Sequence, residues 1–317
     1  MLRSKKDKKI IVILGPTASG KTKLGIDLAK KFNGEIISAD SRQVYKGLDL
    51  GTAKVENIKP KFQSKFQKKM GYCIAEGVPH WLIDVADLRE EVFTAANFKK
   101  MAELVIEDIF RRNKVPFIVG GSMLYIDALV EGFRFAPKVD SKIREKLKKK
   151  TLKKLQQFLR EKDPRAYKKI DLNNPQRLIR ALEVKLATGK SIVDFWKKNK
   201  KYKVLKIGIE IPRDELYKKI DSRVDERLRK GMLKEVKSLI KKGFSKEKLI
   251  SLGLEYRCLT LYLEGKFLSL NEAVDKLKKV IHHFARRQLI WWRRDKEILW
   301  VKDKKEAEKA IQDFIKN

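Results

Sequence analysis

The chain has 317 residues, 43% of them hydrophobic, enough for one large domain or two ordinary ones with a sizeable core. Lys and Arg number 76 against 41 Asp and Glu, a net charge of +35, which argues against a membrane transporter, an acidic tail or a neutral metabolic enzyme. It favours a polyanionic partner, most often nucleic acid, although a lysine-rich background alone would give the same excess.

In chain order, Ile10-Ile11-Val12-Ile13-Leu14 is a short apolar, largely β-branched run that predicts a buried parallel strand. A glycine-bounded loop over 15–22 follows, then an amphipathic helix with Leu24, Ile26, Leu28, Ala29 and Phe32 on its apolar side, closed at Gly34. Glu35 to Ser38 predicts the next strand, ending in the polar cluster Asp40-Ser41-Arg42-Gln43. Trp81 to Val85 predicts a strand, Ala95 to Arg112 a helix, and Pro116 to Val119 a buried strand broken by Gly120-Gly121. Strands alternating with helices call for a parallel α/β sheet with right-handed crossovers.

From Lys138 to Lys203 no strand is readable, and 23 basic residues face 7 acidic ones. Two to four basic helices are expected there, with breaks near Asp163-Pro164 and Asn173-Asn174-Pro175. Val204 to Ile211 returns to strand character, stopped by Pro212, and helices are expected over Glu215–Lys230, Leu233–Lys242 and Glu272–Arg293. The expected organisation is an α/β core over 1–133, a helical insertion over 134–203, and a return to the core over 204–317. Cys73 and Cys258 have no His or Cys at ligand spacing, so neither a zinc site nor a disulfide framework is expected. No apolar run approaches the roughly 18 residues of a membrane span, so a soluble cytoplasmic protein is expected.

Gly15-Pro16-Thr17-Ala18-Ser19-Gly20-Lys21-Thr22 fits G-x-x-x-x-G-K-[ST] between a strand and a helix, the setting this P-loop motif requires. Glycines let backbone N–H groups converge on phosphate oxygens at a helix N-terminus; Lys21 adds a point charge and the Thr22 hydroxyl can ligate Mg²⁺. The signal specifies a polyphosphate rather than a reaction. Kinases and ATPases usually carry a metal-binding Asp at a strand end, but the 117–119 strand ends in Gly120-Gly121-Ser122. Asp40 does sit at a strand end; on spacing alone it suits a general base, a metal ligand or a helix N-cap.

Beyond the P-loop, Ser-Ala-Asp-Ser-Arg-Gln-Val-Tyr-Lys at 38–46, Gly-Thr-Ala-Lys at 51–54 and Pro-His-Trp-Leu-Ile-Asp at 79–84 resemble the tRNA dimethylallyltransferase (tRNA isopentenyltransferase) family. So do Val-Gly-Gly-Ser-Met-Leu-Tyr at 119–125, Asn-Pro-Gln-Arg-Leu-Ile-Arg-Ala-Leu-Glu at 174–183 and Ala-Arg-Arg-Gln at 285–288. The resemblance implies transfer of a dimethylallyl group from dimethylallyl diphosphate to the exocyclic amine of the adenosine 3′ of a tRNA anticodon, with Mg²⁺ carried by the diphosphate. It makes Asp40 the base, with Thr17, Lys21, Ser122 and Arg144 at the reaction centre and Gly15 to Thr22 around the diphosphate. tRNA contacts are implied for Asp40, Ser41, Arg42 and Gln43, for Gln176, Arg177, Leu178, Ile179 and Arg180, and for Arg286, Arg287 and Gln288. The working unit expected is a monomer bound to the anticodon stem-loop.

Three places depart from the family pattern: Ser122 replaces the usual Thr, His282-His283 replaces Thr-Arg, and Gly253 to Arg257 matches its loop only loosely, with Glu255 an acid in a nucleic-acid surface. Trp291, Trp292 and Trp300 suit base stacking or, more commonly at helical spacing, a core. Two rival functions fit the motif. A small-molecule kinase would use ATP and the same aspartate but leaves +35 unexplained; an RNA-binding nucleotide switch would bind tRNA without modifying it.

Overall fold

The computed structural model describes residues 8–55, 64–90 and 92–316. It contains two compact units, one built from the chain up to Val130 and from Tyr202 onward, the other from Glu131 to Lys201.

The first unit opens with β1 (Lys9–Leu14), α1 (Lys21–Lys31), β2 (Gly34–Ala39), α2 (Lys65–Met70), β3 (Tyr72–Ala75), β4 (Val78–Trp81), α3 (Ala95–Arg111), β5 (Val115–Gly120) and α4 (Met123–Val130). The second unit holds α5 (Ser141–Lys148), α6 (Leu152–Lys162), α7 (Pro164–Tyr167), α8 (Pro175–Thr188) and a 3₁₀ turn over Ile192–Phe195. The chain returns to the first unit with β6 (Lys203–Ile209), α9 (Arg213–Arg229), α10 (Met232–Lys241), α11 (Lys246–Leu252), α12 (Leu254–Leu263), α13 (Leu270–Trp292), β7 (Ile298–Val301) and α14 (Lys304–Lys316).

The sheet runs β3-β4-β2-β5-β1-β6-β7. All neighbours are parallel except β3 and β4, which form an antiparallel hairpin at one edge. Central β1 is fully buried from Ile10 to Leu14 because both faces of the sheet are covered there. On one face Ile11, Ile13, Ile36, Phe117 and Ile207 pack with Ile26 and Leu28 of α1 and Ile311 of α14. On the other, α3 lies over β2 and β5 with Phe98, Val105, Ile106 and Ile109 fully buried. A capping box between Thr94 and Asn97 starts α3.

The strand expected over Trp81–Val85 lies instead over Val78–Trp81, because Leu82 (φ 63°) and Asp84 (φ 58°) leave the extended region. The hairpin went unread in the sequence: its turn is Glu76-Gly77, both at positive φ, and only the glycine is a clear turn residue. Edge strand β7 was not expected either; it lies beyond the last helix expected after Pro212.

The helical unit begins at Glu131 and ends at Lys201, a few residues before each expected boundary. Leu147, Leu155, Leu159, Leu178, Ile179 and Leu182 form its core. Asp163 ends α6 and caps Ala166 N–H of α7, while Asn174 caps α8 with Pro175 in the first turn and Gly189 at its end.

Candidate active site

The carboxyl ends of β1, β2 and β5 open onto a cavity of 920 Å³, closed on its other side by α9, the α11–α12 junction and α13. Thr17, Ala18, Gly20, Lys21 and Thr22 line it; Gly15, Pro16 and Ser19 lie buried behind. Gly20, at φ 89°, turns the chain into α1 without any side-chain cap, so the helix presents its first N–H groups and positive dipole end. The buried Ser19 Oγ has no hydrogen-bond partner among the described residues. Lys21 Nζ donates to the Pro16 carbonyl at 3.1 Å. Burial, then the nearby Arg223 and, more weakly, Arg227 push the Lys21 ammonium down from 10.5 to about 8, while Asp40 pulls it up.

Asp40 follows β2. Its Oδ1 accepts the Arg42 N–H at 2.8 Å and, weakly, the Gln43 N–H at 3.5 Å; Oδ2 has no protein donor among the described residues. That leaves one carboxylate oxygen on the cavity wall able to take a proton. Ser122, beyond β5, accepts the Ser41 N–H on Oγ at 2.8 Å and so pins the turn that carries Asp40. The Gln43 amide is engaged internally, accepting from Ser38 Oγ and donating to the Thr52 and Ala53 carbonyls. Its contribution at the cavity is therefore to hold the wall rather than to offer a free amide.

Gln288 corrects an expectation. Assigned to tRNA contact by resemblance, it is 2% exposed. Its Oε1 accepts the Thr17 N–H at 2.9 Å and its Nε2 donates to the Gly121 carbonyl at 2.8 Å. It thereby ties the phosphate loop to the end of β5, and a Cβ on Gly121 would come within 2.5 Å of Nε2. Arg286 and Arg287 are exposed on α13, and Arg287 lines the cavity.

Sequence reasoning passed over Arg223 and Arg227, one turn apart on α9 and both on the cavity wall. Burial, then Arg227, lowers the Arg223 pKa to about 10, with Glu255 and Asp40 opposing. Arg227 Nη1 donates to Glu255 Oε1 at 3.0 Å and to the Gly51 carbonyl at 3.3 Å. Glu255 is thus a buried partner of an arginine in the cavity wall, not an acid on an open nucleic-acid surface. The only sequence sign was two arginines at i,i+4, and α9 carries many cations.

In the helical unit, Gln176 and Arg177 are exposed on α8. Leu178 and Ile179, carried into the tRNA-contact set by resemblance, are 0% and 4% exposed and belong to the unit's core, so their side chains are shut away from a ligand. Arg180 donates to the Ala136 and Pro137 carbonyls and to Glu183, holding the unit's first segment. Arg144 forms a two-point pair with the buried Glu183, with Nη2 to Oε2 at 2.9 Å. Among the remaining aromatics, Trp292 is buried, and Trp291 is exposed with its indole N–H on Asp127. His282 meets Asp221 at 2.8 Å and stacks on Tyr217.

Residues 43–295 match the family described as IPP transferase. A tRNA dimethylallyltransferase of Carboxydothermus hydrogenoformans is 42% identical over 97% of this chain and 96% of its own length. One of Acetivibrio thermocellus is 40% identical over 97% and 95%. The crystal structure of a tRNA isopentenylpyrophosphate transferase from Bacillus halodurans superposes with a TM-score of 0.68 at 34% identity, covering 98% of this chain and 96% of that one. A eukaryotic dimethylallyltransferase acting on tRNA gives 0.77 at 28% identity, covering 98% and 80%.

Proposed function

The chain belongs to the IPP transferase family, and from that premise we propose that it transfers the dimethylallyl group of dimethylallyl diphosphate to the exocyclic N6 of the adenosine 3′ of the anticodon in tRNA. The observation that carries this reading is the free Oδ2 of Asp40 in the same cavity as an uncapped phosphate loop. The amine nitrogen attacks C1 of the dimethylallyl group, the C1–O bond breaks with its electron pair leaving on diphosphate, and the amine proton passes to Asp40. The phosphate loop, Lys21 and Arg223 face the leaving diphosphate, where their charge is worth most because the site is poorly solvated. Ser122 holds the Asp40 turn in place, and Gln288 holds the loop against β5.

Mg²⁺ fits this donor set. No cluster of three or more His, Cys, Asp or Glu occurs among the described residues, and Mg²⁺ commonly takes one or two protein oxygens and completes its shell from phosphates and water. The Thr22 hydroxyl on the cavity wall would hold it together with diphosphate oxygens; when bound, the ion would neutralise charge on the diphosphate. The target adenosine must leave its stack to reach Asp40, and a cavity of 920 Å³ has room for a base beside the diphosphate. The basic helical unit, with Arg177 exposed, suits the tRNA backbone. No helix among the described residues is long and apolar enough to cross a membrane.

The kinase reading is not favoured, since β5 ends in Gly120-Gly121-Ser122 without a metal carboxylate and the relatives are named for transfer to tRNA. Mass analysis of nucleosides from tRNA incubated with protein and dimethylallyl diphosphate tests the proposal: a dimethylallyl adenosine is expected. Unmodified tRNA, or label moving from γ-phosphate ATP to a metabolite, would refute it.

A further inference from the structure

Residues 46–54 leave the Asp40 turn and return to it, bringing Gly51, Thr52 and Ala53 onto the cavity wall. The returning end is fastened to the turn itself: Gln43 Nε2 donates to the Thr52 and Ala53 carbonyls, and Lys54 Nζ donates to the Tyr45 carbonyl at 2.7 Å. At the far end of the strap, one side chain from another element gathers the backbone N–H groups. Glu235, on α10, accepts the N–H groups of Asp49 (3.1 Å), Leu50 (2.7 Å) and Gly51 (3.2 Å). It also accepts the Tyr256 hydroxyl at 2.7 Å. Burial, then the charge of Glu235, pushes the Tyr256 phenol well above its ordinary range, so it remains a donor.

Three consecutive amides converging on one carboxylate form a charge-assisted anchor, stronger than three neutral bonds. It also sets the cavity wall. A Cβ on Gly51 would come within 2.6 Å of the Tyr256 ring, so the strap lies flat on Tyr256. The Gly51 carbonyl, turned the other way by the anchor, receives Arg227 Nη1. Glu235 itself does not line the cavity.

We infer that Glu235 is a positioning residue for the transfer reaction: by holding the amides of Asp49, Leu50 and Gly51 it fixes the strap against which Gln43 and Arg227 are set. The inference rests on the reaction proposed above. Glu235→Gln is nearly isosteric but places an NH₂ group against donors, so part of the anchor is lost while the volume is kept.

The test combines three measurements on Glu235→Gln: amide exchange over residues 46–54, binding of inorganic pyrophosphate, and transfer kinetics on tRNA. Faster exchange in that segment, unchanged pyrophosphate affinity and a fall in kcat of at least about tenfold are expected, since small misplacements cost rate steeply. Tyr256→Phe, which leaves all three amide bonds, is expected to lose less than about a third as much. The inference is overturned if exchange and kcat match the wild type, if Tyr256→Phe is as damaging as Glu235→Gln, or if the loss follows only a lowered melting temperature. Absence of transfer by the wild type refutes the proposed reaction; wild-type transfer with an unaltered Glu235→Gln refutes this inference alone.

Discussion

Replacing Asp40 by Asn separates base catalysis from binding. Asn keeps an oxygen for the 2.8 Å bond from the Arg42 N–H, and the Ser122–Ser41 bond does not involve the side chain, so the turn should stand. What is lost is Oδ2, the oxygen that has no protein donor among the described residues and can accept the amine proton. Loss of a positioned general base should slow transfer by about 10²-fold or more, or about 2.7 kcal/mol in the barrier. A second effect has a definite sign. Asp40 raises the Lys21 pKa against burial and the arginines, so its removal should shift Lys21 further below about 8. Diphosphate affinity of Asp40→Asn should then equal the wild type at ~pH 6.5 and fall off earlier as pH rises, because only the charged ammonium attracts the anion. Single-turnover transfer to tRNA gives the rate, and calorimetry with pyrophosphate across pH gives the affinity. Near wild-type turnover would refute Asp40 as base. An equal loss of rate and of low-pH affinity would show that the aspartate shapes the site rather than moves the proton.

Other perturbations probe the neighbouring parts. In the wild type, pyrophosphate affinity should decline as pH rises through about 8, the pKa of Lys21, and Lys21→Ala should abolish that dependence while weakening binding and rate together; a flat wild-type profile would contradict the buried-ammonium account. Leu178→Ala should cost about 2–5 kcal/mol in stability, read by denaturant unfolding, because Leu178 is fully buried; a stable variant with weakened tRNA binding would restore it as a contact residue. Removing Arg177 and Arg180 together should flatten the slope of log tRNA affinity against log salt by about one. One is expected rather than two because the Arg180 guanidinium is engaged by carbonyls and Glu183, whereas Arg177 is exposed. Equal flattening by removal of the distant Lys304 and Lys305 would show that the charge acts diffusely.

The parts legible in the chain alone are those governed by neighbours in sequence. The strand at Ile10–Leu14, the phosphate loop and α1 were readable because a buried run, a glycine-bounded turn and an apolar stripe are each local patterns. The helix breaks at Asp163-Pro164 and Asn174-Pro175 were readable for the same reason, since a cap and a first-turn proline act within a few residues. Asp40 at a strand end was also within reach, because a parallel sheet puts that end beside the loop.

Other features depended on contacts between distant segments. Gln288 closes on Thr17 across 271 residues, and only the approach of α13 to the phosphate loop and to Gly121 beyond β5 makes it part of the phosphate site rather than a surface contact. Leu178 and Ile179 lie in a motif that resembles a tRNA-binding segment, yet the packing of α6 against α8 turned their faces into a core. Arg223 and Arg227 were indistinguishable in sequence from other cations on a basic helix, and Glu255 stood out only as an acid expected on an open surface. Their significance comes from burial, because in a poorly solvated cavity a charge must either be paired, as Arg227 is with Glu255, or have its pKa shifted, as Lys21 and Arg223 do. Solvent access is a property of the assembled layers and not of any short window of sequence. That is why the chain announced a phosphate-binding loop and a strand-end acid, and only the tertiary structure decided which cations stand with them.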